Sequence, residues 1–248
     1  MKKVLFAGII LSFLSFSKAE LPTSSDDIIR SYDFSQLWSA FAPIENDNQE
    51  TYFRPTPLGY IGNDFQRFYI HFQSVIKNNQ HPFAYFIYFK TKVKNNICTF
   101  QGEISIHTIE WLVPMEELAD MNVKQGLVCG TYSFFEDPQQ KGTGSFLGTF
   151  RSMFYIDKKG ILHYDDIMID ADGYFNNEFI GAWTSYKTNT TKVCNWGDYR
   201  IPKSGNLDIG AGEFIPDSQY YPLGWENYEY IFENSPRGEK ATEKKYFT

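Results

Sequence analysis

The chain has 248 residues, of which 23 are basic and 30 acidic, so its formal net charge is −7. An acidic chain without a basic stripe repels phosphate backbones and anionic bilayers, which argues against nucleic acid or a membrane surface as a partner. Aromatic residues make up 18% of the sequence. This fraction favours β-structure over a helical bundle, because aromatic rings pack well on a pleated sheet.

The first residues have the three parts of a secretory signal peptide in the right order. Lys2 and Lys3 precede an apolar run, Val4 to Phe16, and Ser17-Lys18-Ala19 offers small residues where a signal peptidase cleaves. The run is shorter than the roughly 20 residues that a membrane-spanning helix needs. We therefore expect residues 1–19 to be removed and the mature protein to be secreted or periplasmic, without a membrane anchor.

The next segment, residues 20–60, is predicted to contain a helix followed by an irregular connection. Ser24 and Ser25 can cap the helix, and Asp26 and Asp27 favour its positive end. Apolar residues recur at near-helical spacing, although Tyr32-Asp33 divides the run. These apolar positions are Ile28, Ile29, Leu37, Trp38 and Phe41.

From Phe65 onward the apolar residues alternate with a period of two, which is typical of half-buried antiparallel strands. A long strand is predicted over Phe83–Val93 and the next strand begins near Cys98, with a turn at Asn95-Asn96 between them. Asp157-Lys158-Lys159-Gly160 predicts a second hairpin turn. We expect an antiparallel β domain over residues 61–234 and a charged, disordered tail over residues 235–248.

Four of these strands share a pattern in which a glycine lies two residues from a bulky apolar residue on each side. The glycines are Gly102, Gly130, Gly148 and Gly181. Because side chains alternate along a strand, each glycine faces the same way as its bulky neighbours. A glycine at such a position indicates a bend, or a place where a large side chain crosses the backbone. The fold class predicted is therefore mostly β, an antiparallel meander sheet or up-and-down barrel with an N-terminal helix.

The strand around Gly181-Ala182-Trp183 resembles the Gly-x-Trp strand of lipocalins and the similar strand of avidins, which are calycin-type barrels. Lipocalins carry this motif on their first strand, whereas here it falls late in the chain. The resemblance implies an up-and-down barrel and identifies no binding residue. The stretches Asn95–Phe100 and Cys194–Arg200 also resemble those of uncharacterised secreted bacterial proteins, which implies no activity.

Catalytic motifs are absent from the sequence. Ser145 lies between glycines at the wrong spacing for a nucleophile elbow and is better explained as a hairpin residue. No two histidines have metal-ligand spacing, and no glycine-rich phosphate loop is present. Asp170-x-Asp172-Gly173 matches the middle of an EF-hand loop, but the first and twelfth ligand positions hold no acid. We expect no catalytic residue, no metal and no cofactor.

A cluster of aromatic and charged residues near the end of the β domain is the candidate binding site. Aromatic rings beside carboxylates are what a glycan-binding site or a glycosidase requires, although Trp196 can equally be buried while Asp198 pairs with Arg200. The candidate residues are Trp196, Asp198, Tyr199, Arg200, Asp208 and Glu213.

Three cysteines allow at most one internal disulfide bond. Strand parity places Cys98 on the apolar face and gives Cys129 the opposite orientation, and Cys194 shares the parity of Trp196. Cys98 and Cys194 are therefore the candidate pair, with the other pairings still open.

The function that these observations favour is non-enzymatic binding by an exported protein, with an apolar or glycan small molecule or another protein as the partner. Two alternatives remain. One is a glycan-acting hydrolase that uses carboxylates near Asp198, and the other is a secreted inhibitor or immunity-type protein.

Overall fold

The computed structural model of the chain describes residues 24–40, 43–45, 51–113, 121–226 and 228. The predicted signal peptide and the predicted tail both lie outside these residues.

The N-terminal segment forms a short helix, α1, at Ser25–Ser31, followed by a 3-10 turn at Ser35–Leu37. The Ser24 side chain accepts a hydrogen bond from the backbone N–H of Asp27, as the predicted cap requires. The helix ends at Tyr32, which has extended backbone angles. The predicted helix is confirmed, and it is only two turns long because the chain breaks where Tyr32-Asp33 divides the apolar run.

The strands form one small ribbon and one large antiparallel sheet. In the ribbon, β1 (Pro43–Glu45) pairs with β2 (Thr51–Phe53). The sheet contains β3 (Leu58–Ile61), β4 (Gln66–Lys77), β5 (Ala84–Val93), β6 (Asn96–Trp111), β7 (Lys124–Glu136), β8 (Gly144–Ile156), β9 (Leu162–Tyr164), β10 (Asn176–Ser185) and β11 (Thr191–Asp198).

The large sheet closes into an eight-stranded barrel. Strands β3 to β8 pair in chain order, β8 pairs with β10, β10 with β11, and β11 returns to β3. Strand β9 pairs with the end of β8 that β10 leaves free. All neighbours are antiparallel, so the predicted fold class is confirmed and the barrel is of the up-and-down kind. Closure pairs the edges that an open sheet would expose.

The two ends of the barrel differ. At one end, which we call the plugged end, Phe34, Leu37 and Trp38 of the N-terminal segment are fully buried. The Trp38 indole N–H donates to the Ser152 hydroxyl (2.9 Å), and the Tyr85 hydroxyl accepts from the backbone N–H of Phe34 (3.0 Å). At the opposite end, which we call the mouth, lie the β5–β6 turn and the loop 137–143.

The four glycines of the repeated pattern all lie in barrel strands, as predicted. Gly148 and Gly181 pair with one another across β8 and β10, and the Tyr132 ring lies over both. A β-carbon built on Gly148 would lie 2.6 Å from the Tyr132 hydroxyl oxygen, and one on Gly181 would lie 2.4 Å from it. At all four glycines the nearest obstacle to a β-carbon is a backbone carbonyl oxygen of the neighbouring strand, so glycine is required by the close approach of the strands, and at Gly148 and Gly181 also by the Tyr132 ring.

A second, smaller core lies outside the barrel wall. The outward side chains of β3, Leu58 and Tyr60, are covered by the chain that follows β11. The residues of that chain buried against them are Ile201, Leu207, Phe214 and Trp225. Trp196, near the end of β11, belongs to the barrel interior and not to this second core.

The disulfide candidate is contradicted. Cys98, Cys129 and Cys194 are free thiols, with Cys98 and Cys194 buried as strand parity predicts. Cys129 pairs across the ladder with the exposed Arg151, so it is on the outward face, which is also as predicted. Cys98 lies on β6 and Cys194 on β11, four strands away around an eight-stranded ring. They are on opposite walls, whereas a disulfide requires α-carbons within about 7 Å.

Candidate functional site

The six residues of the predicted cluster fall into three different environments. Trp196 is 1% exposed and stacks on Phe179 in the barrel interior, with ring centroids 5.0 Å apart and planes 12° from parallel. It contributes to packing and is not accessible to a ligand from solvent.

Asp198 is fully buried at the plugged end and binds the N-terminal segment to the barrel. Its Oδ2 accepts hydrogen bonds from the Asn177 side chain (2.6 Å) and the Tyr164 hydroxyl (3.0 Å), and it lies 3.3 Å from Arg54 Nε. Arg54 in turn donates to the backbone carbonyls of Leu37 and Trp38. Burial raises the pKa of Asp198, an effect that the Arg54 charge opposes. The expected Asp198–Arg200 pair is replaced by Asp198–Arg54.

The remaining four residues lie in the loops after β11. Arg200 pairs with Asp208 (2.8 Å) and also donates to the carbonyls of residues 210–212, so it organises this loop. Tyr199 has a positive φ of 64° and contacts Tyr174 edge-on, with centroids 5.0 Å apart. Glu213 is exposed. The structure thus does not bring the six residues together in one open site.

A different site is visible at the mouth, where a cavity of about 570 Å³ opens to solvent between the strand ends and the turns. This volume is within the range of about 300 to 1,000 Å³ that small-molecule sites occupy. Its lining combines apolar walls with a polar rim. The lining residues are Ile61, Asp64, Gln66, Phe68, Thr91, Val93, Lys94, Asn95, Asn96, Cys98, Glu136, Lys141, Gly142, Phe146, Trp183 and Lys192.

The cavity exists because the barrel interior is only partly filled by its own aromatic side chains. In the half nearer the plugged end, Trp196, Phe179 and Tyr132 pack against one another with Trp38 below them. In the half nearer the mouth, Phe68 and Phe146 lie side by side, with ring centroids 5.7 Å apart, and line the cavity. The apolar surface is therefore available at one end of the barrel only.

Glu136 is the buried acid of this cavity, with 4% of its surface exposed. Its Oε1 accepts from the Thr91 hydroxyl (2.9 Å). Its Oε2 accepts from the backbone N–H of Gly144 (2.8 Å) and from the indole N–H of Trp183 (2.9 Å). One carboxylate thus joins β5, β8 and β10 at the mouth and fixes the plane of the Trp183 ring. Burial raises the pKa of Glu136, and the hydrogen bonds from Trp183, Thr91 and Gly144 oppose this effect.

The Cys98 thiol lies close to the same carboxylate but is poorly suited to nucleophilic chemistry. Burial, followed by the negative charge of Glu136, raises the pKa of Cys98 to about 11. The reactive form of cysteine is the thiolate, which a pKa this high disfavours at neutral pH. Cys98 therefore acts as a small apolar part of the cavity wall.

Sequence reasoning missed Glu136, although the signal that could have found it was present. The inward positions of β7 run Val128, Gly130, Tyr132, Phe134 and Glu136 at a strict period of two. An acid at the end of an apolar inward row must be buried at the rim of the barrel. Charged and aromatic residues that are close together along the chain indicated the Asp198 region instead. The partners of Glu136 come from three separate strands, so nearness along the chain could not identify them.

Metal and hydrolytic chemistry find no further support from the described residues. Among them, no group of three or more His, Cys, Asp or Glu side chains is placed to hold a metal ion. Beside Asp198, the space between Trp38, Arg54 and Phe179 has no room for a water molecule. The described residues around this carboxylate therefore leave no space for a substrate beside it.

Comparison with known protein families, with characterised proteins and with solved structures finds no match to this chain. In the part of the chain that the structure describes, no helix has the length and hydropathy needed to cross a bilayer.

Proposed function

We propose that this chain is a non-enzymatic binding protein that holds a small molecule with an apolar body in the mouth cavity of its barrel. The observation that carries the proposal is the half-filled interior. A cavity of about 570 Å³ opens at one end, while the other end is closed by the chain itself. Apolar enclosure with a few fixed polar groups is the usual composition of a ligand site.

The apolar body would contact Val93 and Trp183, the half-buried apolar side chains of the cavity lining. Trp183 is held in place by its hydrogen bond to Glu136, and the almost fully buried Phe68 and Phe146 pack behind the cavity surface. A wall of pre-positioned aromatic rings loses little side-chain entropy when a ligand binds, which favours affinity. We also propose a relationship to the calycin-type barrels. The closed eight-stranded barrel with an open cavity at one end supports it.

The hydrolase alternative loses its basis at Asp198, because that carboxylate is sealed behind the N-terminal segment and bonded to Arg54, Asn177 and Tyr164. A glycosidase needs two acids placed across a bond that the substrate can reach. The alternative of a partner protein, as for an inhibitor or immunity factor, stays a prediction.

The binding proposal is tested with N-phenyl-1-naphthylamine, a neutral dye that fluoresces on entering an apolar cavity. We expect saturable fluorescence with the wild-type protein and its loss in Val93→Trp and in Asn95→Trp, two substitutions that place a large ring in the cavity lining. Ile76→Trp is the matched control, because Ile76 is 61% exposed and lies outside the lining. Absence of saturable binding, or binding that both cavity variants retain, would refute the proposal.

We also propose that the protein is exported, on the basis of the basic, apolar and small-residue order of residues 1–19. Intact-mass measurement of protein recovered from the cell envelope or medium should give Glu20 as the first residue. A full-length chain recovered only from the cytoplasm would contradict export.

A further inference from the structure

We infer that the ligand of the mouth cavity carries an anionic group at the rim, an inference that rests on the proposed binding function. Three lysine side chains line the cavity, and each comes from a different part of the barrel. Lys94 lies in the β5–β6 turn, Lys141 in the loop 137–143 and Lys192 at the start of β11. All three residues are exposed.

None of these three lysines forms an ion pair with a carboxylate of the described chain. The ion pairs found among the described residues do not include Lys94, Lys141 or Lys192. Two carboxylates line the same cavity, those of Asp64 and Glu136. The three ammonium groups outnumber these two carboxylates, and both oxygens of Glu136 already accept hydrogen bonds from the barrel wall.

The local charge at the mouth is therefore opposite in sign to that of the whole chain, which carries 30 acidic and 23 basic residues. A concave site with an excess of one sign of charge raises the local concentration of ligands of the other sign. An anionic group at the rim would form ion pairs with the three ammonium groups, which would stay in contact with water. The apolar body of the same ligand would then extend inward to Val93 and Trp183.

The chemical class that fits is an amphiphile with an apolar body and one carboxylate, sulfonate or phosphate group. Each ion pair formed at an exposed rim is weak, and salt screens it. Three such pairs together correspond to a preference of about tenfold for the anion over its neutral analogue at low ionic strength, which is about 1.4 kcal/mol.

The experiment compares two dyes that share one skeleton. N-phenyl-1-naphthylamine is neutral, and 8-anilinonaphthalene-1-sulfonate is the same molecule with a sulfonate added. Binding of both is titrated at low salt, and the signal that survives in Val93→Trp and Asn95→Trp is subtracted as binding outside the cavity. We expect the sulfonate to bind about tenfold more tightly than the neutral dye, and the preference to shrink as salt is added.

The variant that carries the test replaces Lys94, Lys141 and Lys192 by Gln together. It should bind both dyes within about twofold of one another, because the sulfonate has lost the three ammonium groups. The matched control replaces Lys158, Lys159 and Lys203 by Gln, three exposed lysines outside the cavity lining, and should keep the preference.

The outcomes separate this inference from the function on which it rests. If neither dye enters the cavity, both fall. If the neutral dye enters and the sulfonate binds no better, or if its advantage survives the loss of the three rim lysines, the binding function stands and the anionic ligand is refuted. If the control triple variant loses the preference to the same extent, the effect belongs to overall charge, and the inference is equally refuted.

Discussion

Gly148→Ala tests whether the barrel depends on the close approach of β8 and β10. An ideal β-carbon on Gly148 would lie 2.2 Å from the carbonyl oxygen of Ile180 and 2.6 Å from the Tyr132 hydroxyl. Non-bonded carbon and oxygen atoms do not approach this closely, so the added methyl must push β10 away by about 1 Å. Side-chain rotation cannot relieve the contact, because the obstructing atom at 2.2 Å belongs to the backbone.

The magnitude follows from two costs and one gain. Overpacking of a filled interior costs roughly 1–3 kcal/mol. Separating the strands weakens one or two ladder hydrogen bonds at about 1 kcal/mol each. Replacing glycine by alanine returns roughly 0.5–1 kcal/mol through the smaller entropy of the unfolded chain. The free energy of unfolding should fall by about 2–4 kcal/mol, measured by urea unfolding monitored by tryptophan fluorescence.

Gly59→Ala is the matched control. Gly59 also lies in a barrel strand, but its β-carbon would meet its nearest neighbours at 3.0 Å, which a shift of a few tenths of an ångström relieves. We expect this variant to lose less than about 1 kcal/mol. The reasoning is refuted if Gly148→Ala unfolds with the wild-type free energy, or if the two variants are destabilised equally.

Three further predictions concern buried polar groups. Tyr132→Phe should raise the free energy of unfolding by about 1 kcal/mol in urea titrations, because the buried hydroxyl has no hydrogen-bond partner among the described residues; a less stable variant would contradict this. Folding raises the pKa of Glu136, so the protonated side chain is favoured in the folded state. Its contribution to the free energy of unfolding is fully present below the unfolded pKa near 4.5 and is lost as pH rises through the folded pKa. The unfolding free energy of wild type minus that of Glu136→Gln should therefore decline across this window, and a pH-independent difference would count against it. Maleimide labelling of the native protein should modify the half-buried Cys129 first and reach Cys98 and Cys194 only after denaturation; recovery of a Cys98–Cys194 disulfide peptide would contradict the topology.

Much of the barrel could be predicted from local pattern. Strand parity correctly placed Cys98 inward and Cys129 outward, since alternation along an extended chain is a property of the strand itself. The glycine repeat correctly predicted a curved sheet, because a missing β-carbon has few uses in a strand other than close approach. The short helix followed from its cap at Ser24 and the acids after it.

The candidate site could not be predicted in the same way. The proposed cluster relied on residues that are near one another along the chain, such as Asp198 and Arg200. In the structure Asp198 pairs with Arg54, and Arg200 pairs with Asp208. These partners depend on which segment enters the plugged end and on how the loop after β11 folds back, and neither is a local property.

The sequence by itself determined which residues form strands, which way their side chains face and where the sheet bends. The tertiary structure alone decided that β11 returns to β3, that the N-terminal segment fills one end, and that a cavity stays open at the other. The reason is physical: periodicity describes one strand at a time, whereas the cavity depends on the register around the closed ring. That register brings Glu136 of β7 to Thr91 of β5 and Trp183 of β10, and it places three lysines around one opening.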